Sequence, residues 1–210
     1  MIKLFRTTKC HSDWWRNRKI DWKKSYLDTW DHPHRHMISQ LLGKIPWISL
    51  LEVGCGPGPN LVKIVNSHKN KQIGGIDLNE NAIKLAKETF KGAFLKVGSV
   101  EDIMMSDNSS DVILTDMTLI YVGKIDKAIK EIKRVARRYI IFCELHSSSF
   151  YDRIKLKLES GYYAHDYKKL LTKYGFYDIT LIKIPKEVWD SKHQISFGYI
   201  IMAKVPKEYN

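Results

Sequence analysis

Two acids and three glycines carry the first chemical signal in the chain. Glu52 stands two residues before Gly54, and the glycines alternate through Gly54-Cys55-Gly56-Pro57-Gly58, with Pro59 and Asn60 behind them. Glycine is needed where a backbone turns sharply or where a ligand must meet the main chain with no Cβ between. A dinucleotide site spaces its glycines Gly-x-Gly-x-x-Gly and aims a helix N-terminus at a pyrophosphate. Here the third glycine comes one residue early, and Glu52 would repel a pyrophosphate. The same acid suits a cationic ligand. Asp77 closes the next apolar run, where an acid can meet ribose hydroxyls. Polar groups close two later runs: Asp116, with Met117 and Tyr121 after it, and Glu144 with His146. His146 has the intrinsic pKa best suited to a general base, with Asp116 and Tyr121 next. Asp116 would serve equally as an anchor for an amine or a loop N–H. Cys143 lies inside an apolar run and reads as inert core.

These groups need a frame that puts run ends side by side. Apolar runs of strand length alternate with amphipathic stretches. Strands are expected over 48–53, 73–77, 93–97, 111–116, 139–145, 177–184 and 197–205. Helices are expected over 59–68, from Asn79 as N-cap to 90, over 125–137, and over 165–174 with Gly175 as C-cap. Continuous apolar strands fit a buried parallel sheet. The connection from Pro185 to Ser196 is too short for a crossover helix and predicts a terminal hairpin. In such a sheet the ligand lies beyond the carboxyl ends of the strands, where the acids fall.

Before this frame come 47 residues of different character. Trp15, Trp22 and Tyr26 lie at helical spacing and predict one N-terminal helix over 11–30, either a lid on the substrate pocket or a cap on the far side of the sheet. His32, His34 and His36 recur at alternate positions around Pro33, but no acid or cysteine completes a site locally, so no metal is expected. A helix from Pro33 through Leu42 is expected instead.

The chain has 210 residues, 44% of them apolar, enough for a single domain. No run approaches the ~20 apolar residues of a membrane helix, so no membrane partner is expected. Met1–Lys9 has no apolar core and does not read as a secretory signal. Three cysteines, Cys10, Cys55 and Cys143, form neither a zinc pattern nor a disulfide framework, which predicts a cytoplasmic setting. Net charge is +12. Single lysines spread along the helices carry most of it, so nucleic acid is the second-ranked partner behind a small molecule. Arg134, Arg137 and Arg138 cluster at an expected helix end. Nothing in the sequence points to a particular oligomeric state.

The stretch from Glu52 to Gly58 resembles motif I of the class I S-adenosylmethionine-dependent methyltransferases, and the element order over 48–205 resembles their fold. The resemblance implies an α/β Rossmann-like domain. Its seven-stranded, mostly parallel sheet has helices on both faces, and an antiparallel last strand slots between the fifth and sixth. It implies a cofactor site with Gly54, Cys55, Gly56, Gly58 and Asn60 under the methionine part and Glu52 near the amino-acid end. Asp77 and Leu78 would lie at the ribose, and Asp116 and Met117 near the methyl group. At the adenine the family often carries an acid. This chain has Ser99, so the Ser99 hydroxyl or the Val100 N–H would replace it. The cofactor implied is S-adenosyl-L-methionine, leaving S-adenosyl-L-homocysteine, with methyl transfer to an oxygen or nitrogen. DNA amino-methylases carry Asn/Asp-Pro-Pro-aromatic after the fourth strand. Asp116 here has no proline behind it, which favours a small-molecule acceptor over an RNA. A non-catalytic partner subunit of the same fold is a further alternative. The chain also resembles a group of small methyltransferases that share His-Pro-His-Arg, Gly-Pro-Gly-Pro-Asn and Asp-Tyr-Lys-Lys-Leu-Leu, here Asp166–Leu171.

Overall fold

The computed structural model describes residues 10–189 and 196–206. Met1–Lys9 and the middle of the Pro185–Ser196 connection lie outside the described residues. Three helices, α1 (Cys10–Asn17), α2 (Trp22–Thr29) and α3 (Pro33–Leu42), precede β1 (Ser49–Val53). There follow α4 (Pro59–Ser67), β2 (Gln72–Asp77), α5 (Glu80–Thr89), β3 (Phe94–Val97) and β4 (Ser110–Asp116). A 3₁₀ turn (Leu119–Tyr121) leads to α6 (Asp126–Val135), β5 (Ala136–Leu145), α7 (Phe150–Ser160), α8 (Tyr167–Lys173), β6 (Tyr177–Lys183) and β7 (Gly198–Lys204).

The strands form one sheet in the order β3-β2-β1-β4-β5-β7-β6. The first five pair in parallel, and β7 runs antiparallel between β5 and β6. This is the Rossmann-like sheet that the family resemblance implies. Side chains alternate through the central strands into two apolar layers. Ile113 and Phe142 pack with Ile129 and Ile132 of α6 and Tyr167 of α8. Val112, Leu114 and Ile141 pack with Ile38 of α3, Leu61 of α4 and Ile83 of α5. Both faces are covered, which is why the strands read as unbroken apolar runs. No helix among the described residues is long and apolar enough to cross a membrane.

Three expectations are corrected. The single N-terminal helix is two: α1 stops at Asn17, and Asp21 caps a new helix, its carboxylate accepting the Lys24 N–H at 2.8 Å. The helix expected to run to residue 137 stops at Val135, and β5 starts with the next residue. Arg137 and Arg138 therefore lie in a strand, 2.7 and 3.2 Å from Asp111, a carboxylate that is 1% exposed and needs countercharge. Helix α7 occupies a stretch the sequence pattern left unassigned.

Candidate functional site

β1 and β4 are neighbours whose chains leave in opposite directions, one toward β2 and the other toward β5. That reversal opens a crevice at their carboxyl ends. Glu52 and Val53 end β1 on one side of it, and Thr115 and Asp116 end β4 on the other.

The glycine turn crosses this crevice. Gly54 sits at φ +78°, and a Cβ there would lie 2.0 Å from the Thr118 Oγ1, so no other residue fits. Gly58, at φ +88°, caps α4 and turns toward the Phe90 ring. Gly56 faces open space, and its N–H donates to Asp77 at 2.9 Å. Asp77 also accepts the Asn79 N–H at 2.8 Å. Burial raises the Asp77 carboxyl against the pull of these two bonds.

Asn60, in the first turn of α4, ties the two strand ends together. Its Nδ2 donates to Glu52 Oε1 at 2.6 Å and to Asp116 Oδ2 at 2.9 Å. The same Asp116 oxygen meets Arg35 Nη1 at 2.7 Å and His34 Nε2 at 2.8 Å, both from α3. Arg35 is fixed in turn by the Thr29 carbonyl, 2.8 Å from its Nε. Burial alone would raise the Asp116 carboxyl, but the charges of His34 and Arg35 outweigh it and hold it well below the usual range. At Glu52 the Asn60 hydrogen bond and the more distant Arg35 charge do not offset burial, which pushes it up to about 8. Glu144 is raised by burial to about 8 as well, although the N–H groups of Thr118, Leu119 and Ile120 point at it. Two carboxyls bridged by one amide thus take opposite protonation states near neutrality. His34, Asp116 and Cys143 offer ligand atoms within 4.8 Å of one another, but the Arg35 guanidinium already holds the place a cation would take.

A cavity of about 900 Å³ lies above this floor. Of the residues singled out in the sequence, Glu52, Gly54, Cys55, Gly56, Asn60, Asp77, Leu78, Ser99, Val100, Asp116, Met117 and Tyr121 line it. Gly58 and His146 do not. Gly58 is spent on the entry to α4. His146 bridges backbone to His165, and its Nδ1 faces the Tyr167 N–H at 3.2 Å and the His165 carbonyl at 3.0 Å. Burial lowers its imidazole below the ordinary value.

The cavity roof comes from the N-terminal helices, on the pocket side of the two places the sequence left open for them. Ser12, Trp15, Trp22, Ser25, Thr29 and Arg35 line it from α1, α2 and α3. The Trp15 ring stands edge-on to Tyr121 at 4.9 Å. Asn79 holds the roof down, donating to the Trp15 and Arg18 carbonyls at 2.8 and 2.9 Å. Arg35 carried one legible sign: a cation in the first turn of a helix whose later turns carry Met37, Ile38, Leu41 and Leu42.

A family model described as a methyltransferase domain matches residues 47–185. The chain belongs to that methyltransferase family. Among curated proteins it is similar to a malonyl-[acyl-carrier protein] O-methyltransferase of Bacillus cytotoxicus, 28% identical over 71% of this chain and 56% of the relative. The match to the corresponding Buchnera aphidicola enzyme, 28% identical, spans 50% of this chain and 42% of that one. The chain therefore matches only about half the length of these relatives. Among solved structures, geranyl diphosphate C-methyltransferase from Streptomyces coelicolor, in complex with S-adenosyl-L-homocysteine, superposes with a TM-score of 0.72 at 11% identity, over 97% of this chain and 99% of that one. The fold is a methyltransferase fold, and its acceptors differ from one relative to the next.

Proposed function

We propose that this chain transfers a methyl group from S-adenosylmethionine to an oxygen or nitrogen of a small molecule held beneath the N-terminal helices. The cavity's division into two chemically different halves carries this reading.

The floor fits the cofactor. Gly56 leaves bare backbone facing open space. Glu52 Oε2 and Asn60 Oδ1 are buried acceptors without a partner, a costly arrangement that an ammonium group would relieve. Asp77 offers its oxygens to ribose hydroxyls, and Ser99 and Val100 stand beside the expected place of the adenine. When bound, the cofactor supplies a methyl on a sulfonium, an electrophile that needs a nucleophile held in line.

The roof fits an acceptor. Trp15, Trp22 and Tyr121 form an apolar wall that excludes water. The indole Nε1 atoms of Trp15 and Trp22 are buried with no partner, which favours an acceptor that brings oxygens of its own. Burial raises the Tyr121 phenol, so it stays protonated and donates rather than takes a proton. The engaged Asp116 oxygen acts as an anchor between α3, α4 and β4, and no histidine among the described residues lines the cavity. The site thus suits a nucleophile that needs little deprotonation, such as a carboxylate or an acidic hydroxyl. A volume near the top of the ~300–1,000 Å³ typical of small-molecule pockets leaves room for donor and acceptor together.

Calorimetry with S-adenosylmethionine and S-adenosylhomocysteine tests the floor, and methyl release with a panel of small carboxylates, phenols and amines tests the roof. Failure to bind either cofactor form overturns the reading. Tight transfer-RNA binding that weakens steeply with salt, together with transfer to that RNA, replaces the small molecule.

A further inference from the structure

Helix α7 stands apart from the other long helices of the fold. Only Leu156 is buried. Phe150 is 71% exposed, Tyr151 73%, Ile154 46% and Leu158 81%. At 3.6 residues per turn these four side chains fall within an arc of about 100°. Lys155 borders the arc on one side, with Lys157 and Arg153 on the other. A surface helix of a globular domain normally turns such a stripe inward.

We propose that this face of α7 docks on an anionic lipid surface. A helix with aromatic and branched residues on one side and flanking cations lies in the plane of a membrane interface, its apolar face at the headgroup boundary. The charge fits: the chain carries +12, and its cations rim the apolar face. The size argues against a second copy of this chain. Even fully covered, four side chains fall short of the ~800 Å² per partner that a stable protein interface buries. The helix is built to stay folded there. Ser149 caps its start by accepting the Asp152 N–H at 3.2 Å. Gly161 closes its end at φ +80°, and Lys157 donates to the Gly161 carbonyl at 2.8 Å. The strap that follows reaches the cavity wall: Tyr163 N–H donates to the Ile120 carbonyl at 2.8 Å, and Tyr162 stands edge-on to Tyr121 at 5.7 Å. Docking would thus set the cavity beside the bilayer, while the chain needs no spanning helix.

Vesicle co-sedimentation of the full chain tests this, using phosphatidylcholine with and without phosphatidylglycerol. The chain should bind the anionic vesicles and release in about 0.5 M salt. Leu158→Glu should weaken binding at least about tenfold, since it places a charge in the apolar arc. Lys155→Glu, which leaves that arc intact, should weaken it by about fivefold or more. Met104→Glu, at a 71% exposed site outside α7, should leave it unchanged. No binding of the wild-type chain to anionic vesicles, or equal losses from Leu158→Glu and Met104→Glu, overturns the proposal. So does a stable dimer in solution that Leu158→Glu separates, or capture by an acidic protein with no affinity for lipid.

Discussion

The floor and the roof of the cavity are assembled by different rules. The floor is made within one stretch of chain and its immediate neighbours. Glu52, the glycine turn and Asn60 lie within nine residues, and Asp77 ends the adjacent strand. Its contacts are short-range: the Gly56 and Asn79 N–H groups reach Asp77, and the Asn60 amide reaches Glu52. The roof is made from α1, α2 and α3, which are held at the site by Arg35 and His34 closing on Asp116 across more than 80 residues and by Asn79 donating to the Trp15 and Arg18 carbonyls. A motif can record the first arrangement because spacing dictates it. It cannot record the second, which exists only once the chain has folded.

Cutting the joint between the halves should have the largest effect. Asp116→Ala leaves the Arg35 guanidinium buried with one carbonyl for company. Removing one partner of a buried ion pair costs ~3–5 kcal/mol, so thermal melts should show a loss on the order of 10 °C. A melt within a degree or two of wild type would mean that α3 is not held through Asp116. Within the floor, Asp77→Ala should weaken cofactor binding by ~1–3 kcal/mol through lost charge-assisted hydrogen bonds. Calorimetry reads it directly, and unchanged affinity would remove Asp77 from the ribose. Within the roof, Trp22→Phe keeps an aromatic ring of smaller area and deletes the unpaired N–H. Once an acceptor is known, its kcat/KM should fall by roughly fivefold to tenfold while the cofactor affinity stays put. A change in cofactor affinity alone would move Trp22 to the floor.

The same contrast explains what the sequence showed and hid. The central strands were legible because buried parallel strands announce themselves as apolar runs, and the terminal hairpin because Pro185–Ser196 is too short for a crossover. The glycine turn and Asn60, which the structure places at the cavity, were legible because their spacing is local. Helix α7 was hidden for a physical reason: Ile154, Leu156 and Leu158 alternate as a strand would, and the apolar residues face outward, so no inward stripe marks a helix. Ser149 with Asp152 three residues on was the available sign of its start. His146 drew notice for its intrinsic pKa, but its ring is taken up by Tyr167, Tyr199 and backbone beyond the cavity. His32, His34 and His36 complete no ligand set locally, and His34 finds its aspartate 82 residues away. Polar residues that act at long range carry no local mark of their partner.

The finest distinction lies between the two acids that share Asn60. Asp116 is ionised through neutrality, while Glu52 is raised from the ordinary 4.5 to about 8, chiefly by burial. A raised carboxyl holds its proton in the folded chain over a range where the unfolded chain has lost it. Its favourable contribution is therefore complete below about pH 4.5 and disappears as pH rises toward 8. Glu52→Gln mimics the protonated form. It should melt like wild type near pH 5 and gain on it steadily up to pH 8, a difference that parallel melts will read. Cofactor binding should reverse the preference, because an ammonium beside Glu52 favours the carboxylate. At pH 7 the wild type should then release close to one proton on binding, visible as a buffer-dependent calorimetric enthalpy, and its affinity should rise by roughly fiftyfold from pH 6 to pH 8. The Gln variant should release none at this site and show a flatter profile. If wild type and variant release protons equally, the cofactor's ammonium does not sit at Glu52, and the floor must be turned so that Asn60 or Asp77 receives it instead.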